Sequence, residues 1–154
     1  MPAWVLIVVI ALFVFWFVVV PLFERFAPAA AVRRYQRLVT PLFRTSAGFV
    51  PGFGVIETIG RKSGLPRRTP VGGSIKGGSF WFVAGIGRQT FYMRNIEANP
   101  RVRVKTLGRW RAGTARPDPD DNARRRRFTV SPVNGLFLWI AGGDALTVRV
   151  ELDT

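Results

Sequence analysis

From Ala3 to Phe23 the chain is unbroken apolar sequence, with Trp4, Phe13, Phe15, Trp16 and Phe17 inside it and the first charge only at Glu24. As a helix rising about 1.5 Å per residue, such a run matches the roughly 30 Å hydrocarbon core of a bilayer, which takes about 20 residues. A chain of 154 residues has no core large enough to bury it. The run therefore predicts one transmembrane helix within residues 1–26. A cleaved signal peptide needs a basic start and a shorter apolar stretch, and no Lys or Arg precedes Arg25. Arg25, Arg33, Arg34, Arg37 and Arg44 all follow the run. By the positive-inside rule this orients a single-pass protein of the cytoplasmic membrane, with everything after the helix in the cytoplasm and membrane lipid as a partner. Residues 27–47 are expected to form a basic juxtamembrane helix, with Val32, Tyr35 and Leu38 on one face and arginines toward lipid headgroups. A solvated linker helix fits the same residues.

The remainder, residues 48–154, has room for one domain. Lys and Arg number 23 against 9 Asp and Glu, a formal net charge of +14, so its ligands are expected to be anionic. Cysteine and histidine are both absent, which excludes a thiol nucleophile, an imidazole base, disulfides and the usual zinc sites. The acids are scattered, so no metal site is expected, and chemistry at this domain calls for an organic cofactor.

After Gly48, Pro51, Gly52 and Gly54 the hydrophobic pattern changes from helical to alternating. Strands are expected over Val55–Ile59, Arg67–Ile75 and Ser79–Ala84, with turns at Gly60–Gly64 and Lys76–Gly78. A helix over Phe91–Asn99 stops before Pro100. Two strands follow, one through Val102 and Val104 and one from Arg109 to Arg116, then a helix opening on Asp118 and Pro119 and ending at Arg124–Arg127, then a strand over Leu146–Leu152. Short strands joined by glycine turns argue for an antiparallel sheet or small barrel, mainly β with short helices.

Two loops carry candidate chemistry. Thr58, Ile59, Gly60, Arg61, Lys62, Ser63, Gly64 sets two cations and a hydroxyl in a glycine-flanked turn, an arrangement that suits phosphate and suits equally a solvated basic hairpin. It is not a Walker A loop, since Arg61 stands where the lysine belongs. Ala84, Gly85, Ile86, Gly87, Arg88, Gln89, Thr90 leads into the helix bearing Tyr92, Arg94 and Asn95, and its glycines would let a flat ring or phosphate approach backbone. It lacks the third glycine of the dinucleotide fingerprint.

Together these segments resemble a known family. Gly60-Arg61-Lys62-Ser63-Gly64, Pro66-Arg67, Pro70-Val71, Trp81 to Gly85, and Phe91-Tyr92-x-x-Asn95-Ile96-x-Ala98-Asn99-Pro100 look like the deazaflavin-dependent nitroreductase and quinone reductase family. The resemblance implies a split β-barrel, related to FMN-binding reductases, that transfers hydride from the reduced deazaflavin coenzyme F-420 to a quinone-like, nitro or other electron-poor acceptor. It would place Arg61, Lys62 and Ser63 on the coenzyme's acidic tail, with Thr58, Gly64 and Arg67 beside them, and Ala84, Gly85, Ile86, Gly87 and Asn95 at the ring. Arg88 or Arg94 would stabilise the developing anion and Tyr92 would donate a proton. Phe91 replaces the family's usual Trp, and Ile86 and Arg88 stand where a polar residue and a glycine are common, which keeps FMN as the alternative cofactor. The segment Ser131–Gly143, with Pro132, Trp139 and paired glycines, does not resemble the family's usual ending. A homodimer is admitted by this reading. The competing reading is a non-catalytic, membrane-anchored basic barrel that binds a flavin-type cofactor or anionic lipid. Nucleic acid is not an expected partner, since the aromatics lie in the apolar run and strands rather than among exposed cations.

Overall fold

The computed structural model describes residues 2–28, 31, 34–35, 38, 41 and 44–153. Of the residues expected to form the juxtamembrane helix, Val32, Arg33 and Arg37 lie outside the described ones, whereas Arg34, Tyr35 and Leu38 are helical.

Six strands close into a barrel in the order β1-β2-β3-β6-β5-β4, each neighbour antiparallel. They are β1 (Phe53–Ile59), β2 (Pro66–Lys76), β3 (Ser79–Ala84), β4 (Arg101–Thr106), β5 (Arg109–Asp118) and β6 (Leu146–Leu152). The period of two turns Val102, Val104, Val148 and Val150 inward, where they meet Ile56, Phe80 and Phe82. Burying each such side chain contributes roughly 1.5–3 kcal/mol. The helix between β3 and β4, spanning Phe91–Ala98, adds Met93 and Ile96 to this core. Closure leaves no unpaired sheet edge.

The apolar N-terminal run is helical but not one α-helix. It comprises α1 (Ala3–Val14), a π-helical stretch Phe15–Val19 and α2 (Val20–Phe26). Pro21 has no N–H to donate into the preceding turn, and beside it the Val20 N–H bonds the Phe15 carbonyl five residues back, the register of a π-bulge. Among the described residues no helix is long and apolar enough to cross a membrane. The expectation of one transmembrane helix thus finds no support in the helices as they form. We number the helix Phe91–Ala98 as α3.

Two further helices depart from expectation. The helix expected to open at Asp118 begins later, as α4 (Ala123–Val130). Pairing of Asp118 with Thr147 carries β5 past Pro117, and the cap is Asn122, whose side chain accepts from the Arg125 N–H at 3.1 Å. Asp121 serves a different purpose, accepting from Arg126 Nη2 at 2.7 Å and from Thr147 Oγ1 at 2.7 Å, so it fastens α4 to β6. A helix absent from the expected elements, α5 (Pro132–Ala141), fills the segment before β6. It packs on α4, on α2 and on the π-helical stretch.

Candidate active site

The β1–β2 turn is shaped by its own backbone. Gly60 N–H bonds the Leu65 carbonyl at 2.9 Å and Gly64 N–H returns to the Gly60 carbonyl at 2.7 Å. Gly64 sits at φ +66°, which a β-substituted residue adopts only at a cost. Ser63 Oγ accepts from Leu65 N–H at 3.3 Å, so this hydroxyl supports the turn as well as facing outward.

Above the turn lies an open cleft of about 980 Å³. From the hairpin it is lined by Gly60, Arg61, Lys62, Ser63, Arg67 and Arg68, and from α3 by Phe91, Tyr92, Arg94 and Asn95. Arg44, from the segment that leads out of the N-terminal helices, completes the wall. Six lining residues are cationic and none is acidic. Among the described residues only Arg68 of these six is ion-paired, at 2.7 Å to Glu57.

Asn95 ties the two sides of the cleft together. Its Nδ2 donates to Thr58 Oγ1 at 3.0 Å and its Oδ1 accepts from the Arg61 N–H at 3.1 Å. Both Thr58 and Asn95 are buried, so the bond between them forms where water does not compete. Thr58, expected to touch the cofactor, faces Asn95 and acts by holding the helix to the strand. Tyr92 packs its ring on Phe82, centroids 6.1 Å apart. Burial pushes its phenol up to about 12, partly opposed by a hydrogen bond with Thr90. The sequence-based role for Tyr92 as proton donor needs an environment that lowers its pKa, and burial acts the other way.

The second glycine loop is placed differently. Ala84 is wholly buried in the barrel core. At Gly85 an added Cβ would stand 2.6 Å from Leu138 Cδ2 of α5, and at Gly87 it would stand 2.5 Å from the Asp144 carbonyl oxygen. At these glycines a helix and a backbone carbonyl make the close approach. Ile86 is exposed, and Arg88 is ion-paired to Glu97 on the outer side of α3. Ala84, Gly85, Ile86, Gly87 and Arg88 do not line the cleft, whereas Arg61, Lys62, Ser63, Arg67, Tyr92, Arg94 and Asn95 share it. Gly64 shapes the turn without lining the cleft. The sequence reading missed Arg44, Arg68 and the exposed Phe91 as cleft residues. Arg68 had a local signal, since it follows Arg67 on one strand; Arg44 had none beyond its charge.

Comparison with known proteins decides the family. The sequence profile described as F420H(2)-dependent quinone reductase matches residues 29–153. The chain belongs to that family. This reductase is an oxidoreductase, and its coenzyme is the reduced deazaflavin. No curated protein matches it significantly. Among solved structures it is similar to an F420-H2 dependent reductase (FDR-A), at 22% identity over 65% of this chain and 94% of that one, with a TM-score of 0.51. It is also similar to General Stress Protein 26 from Bacillus anthracis str. Sterne, at 20% identity over 72% and 87%, TM-score 0.53. A domain-swapped dimer is similar at 20% identity over 81% and 100%, TM-score 0.50. At these identities the structural likenesses establish the split-barrel fold of the reductase and nothing finer.

The donor set fits the coenzyme's chemistry. A cleft with six cations and no lining carboxylate carries mutual repulsion that a polyanionic ligand relieves. Arg offers paired donors to phosphate and carboxylate oxygens and Lys a movable point charge.

Proposed function

We propose that this reductase binds reduced deazaflavin through the cationic cleft and reduces a quinone-like acceptor dissolved in the cytoplasmic membrane, with the barrel in the cytoplasm. One observation carries the reading: Arg44, Arg61, Lys62, Arg67, Arg68 and Arg94 converge on a single cleft. When bound, the coenzyme supplies the hydride.

The chain's own residues supply position and potential. Arg61, Lys62 and Arg67 neutralise the acidic tail, and Asn95 fixes the turn so that these cations are presented without reorganisation. Arg94 faces the same cleft and stabilises the negative charge that grows on the acceptor oxygen. Tyr92 is neutral at physiological pH, as a phenol of ordinary pKa already is, and serves as a fixed hydrogen-bond donor. Phe91 is 82% exposed at the cleft and offers a flat apolar face to a quinone ring.

The membrane part of the reading is supported by the uncharged run Ala3–Phe23. α1 buries none of its side chains. Arg25, Arg34 and Arg44 follow the run, as they would on the cytoplasmic side. A lipid-soluble acceptor then reaches the site by lateral diffusion. Assembly as a homodimer belongs to the same reading, prompted by the similar structure described as a domain-swapped dimer.

The test is direct titration of the full chain with deazaflavin, followed by menadione. The double variant Arg61→Ala, Lys62→Ala is expected to bind the coenzyme at least about tenfold more weakly, or about 1.4 kcal/mol, with its melting temperature unchanged. Equal affinity in the variant would remove the cleft as the coenzyme site.

A further inference from the structure

The segment Ser131–Gly143 holds α5, an apolar helix with one side on the barrel. Leu138 packs over Gly85, and Asn134 over Gly72, whose missing side chains let the helix approach the barrel wall. Gly135 abuts the Arg127 backbone carbonyl of α4, where an added Cβ would come within 2.7 Å. Of the ten residues Pro132–Ala141 only Asn134 is polar by its side chain. Yet Trp139 is 59% exposed and Val133 40% exposed.

Two neighbours surround this uncovered face. α5 packs on α2 and on the π-helical stretch, and Arg25 Nη1 donates to the Ile140 carbonyl at 3.3 Å, which satisfies a carbonyl at the C-terminal end of α5 with a cation. α4 contributes Arg124 and Arg125, both exposed, and Phe128, 40% exposed. The result is an apolar helix carrying an open Trp, with Arg25 bonded at its C-terminal end and α2 and the π-helical stretch packed on it.

We propose that α5 is a second membrane contact: it lies in the headgroup region of a bilayer containing anionic lipid, with Trp139 and Val133 in the acyl boundary and Arg25, Arg124 and Arg125 on headgroup phosphates. Trp at the interface and Arg beside it match the preferences of that layer. The proposal rests on the membrane reading given above, and adds that the barrel is held against the surface instead of swinging on its tether.

The chain contains no cysteine, so one introduced thiol reports one place. Full-length Trp139→Cys, and separately Val133→Cys in case the first fails to fold, would carry an environment-sensitive dye and be reconstituted into phosphatidylcholine vesicles with and without phosphatidylglycerol. Arg101→Cys, exposed on β4, is the reference. In phosphatidylglycerol vesicles the dye at 139 or 133 is expected to be quenched by iodide at least about fivefold less than at 101, as for a site sunk roughly 5–10 Å into the boundary. Lipid-borne spin labels should quench it in turn. A chain that floats with vesicles while its 139 and 133 dyes stay as open to iodide as 101 overturns the second contact and leaves the anchor standing. A chain that does not float overturns both. Protection that appears without lipid, together with a dimeric mass, assigns the face to a second copy and overturns the proposal.

Discussion

The two glycine loops of this reductase look alike in sequence and end in opposite circumstances. Gly60–Gly64 stands clear of the barrel with its cations on an open cleft, whereas Gly85 and Gly87 lie beneath α5 and the Asp144 backbone. Glycine permits close approach by something, and the chain distant in sequence decides what approaches. At the first loop nothing of the chain within 4 Å would meet a Cβ on Gly64. At the second, Leu138 already occupies the space.

This contrast can be broken in four ways. Asn95→Leu has the largest expected effect, because it orphans the buried Thr58 hydroxyl and the Arg61 N–H together. A loss of roughly 2–4 kcal/mol is expected from chemical denaturation, with coenzyme affinity falling in the molecules that remain folded. Next, Gly85→Leu overfills the seat of Leu138 and should cost about 1–3 kcal/mol while leaving coenzyme affinity intact; a selective loss of affinity would make the second loop a ligand site after all.

Acid should loosen the seat of α4 on β6. The Arg126 guanidinium holds Asp121 below the ordinary carboxylate range, with Thr147 assisting and burial opposing. A depressed folded pKa gives stability that is present above the unfolded value near 3.8 and is lost as pH falls through the folded one. Denaturation midpoints measured between about pH 6 and pH 3 should therefore fall more steeply in the parent than in Asp121→Asn, whose side chain does not titrate. The smallest effect belongs to Arg88→Ala. Its exposed pair with Glu97 contributes at most about 1 kcal/mol, and coenzyme binding should not change, since Arg88 lies outside the cleft.

Much of the barrel was legible because its signals are local. Alternation of Val102, Val104, Val148 and Val150 with charged residues marks an inside and an outside, and Gly64, Gly77, Gly78 and Gly108 occur where φ is positive. β3 spans the apolar stretch Ser79–Ala84 and β6 the alternating stretch Leu146–Leu152. The start of α4 was misplaced because Asp118, Pro119 and Asp121 carry helix-opening chemistry, while the partner strand that keeps Asp118 extended lies 29 residues on, at Thr147. α5 had faint markers of its own, Pro132 at its first position and Gly142 at φ +74° after its last turn. An apolar stretch of ten residues shows no periodicity by which to tell helix from strand. Half of the candidate site was readable on the same terms: Arg61, Lys62 and Arg67 sit together in the chain and together in space. Arg44 and Phe91 join them only through the fold.

By itself the sequence determined that an uncharged apolar run precedes the domain, that the domain is a strongly cationic set of short strands, and that any redox chemistry needs a borrowed organic group. Those follow from side-chain chemistry and periods of two or four residues, which need no knowledge of distant partners. The tertiary structure alone decided which glycine loop stays open, which hydroxyl is spent on holding a helix, and where α5 lies. Each depends on contacts between residues far apart in the chain, and packing allows only one side chain in each place.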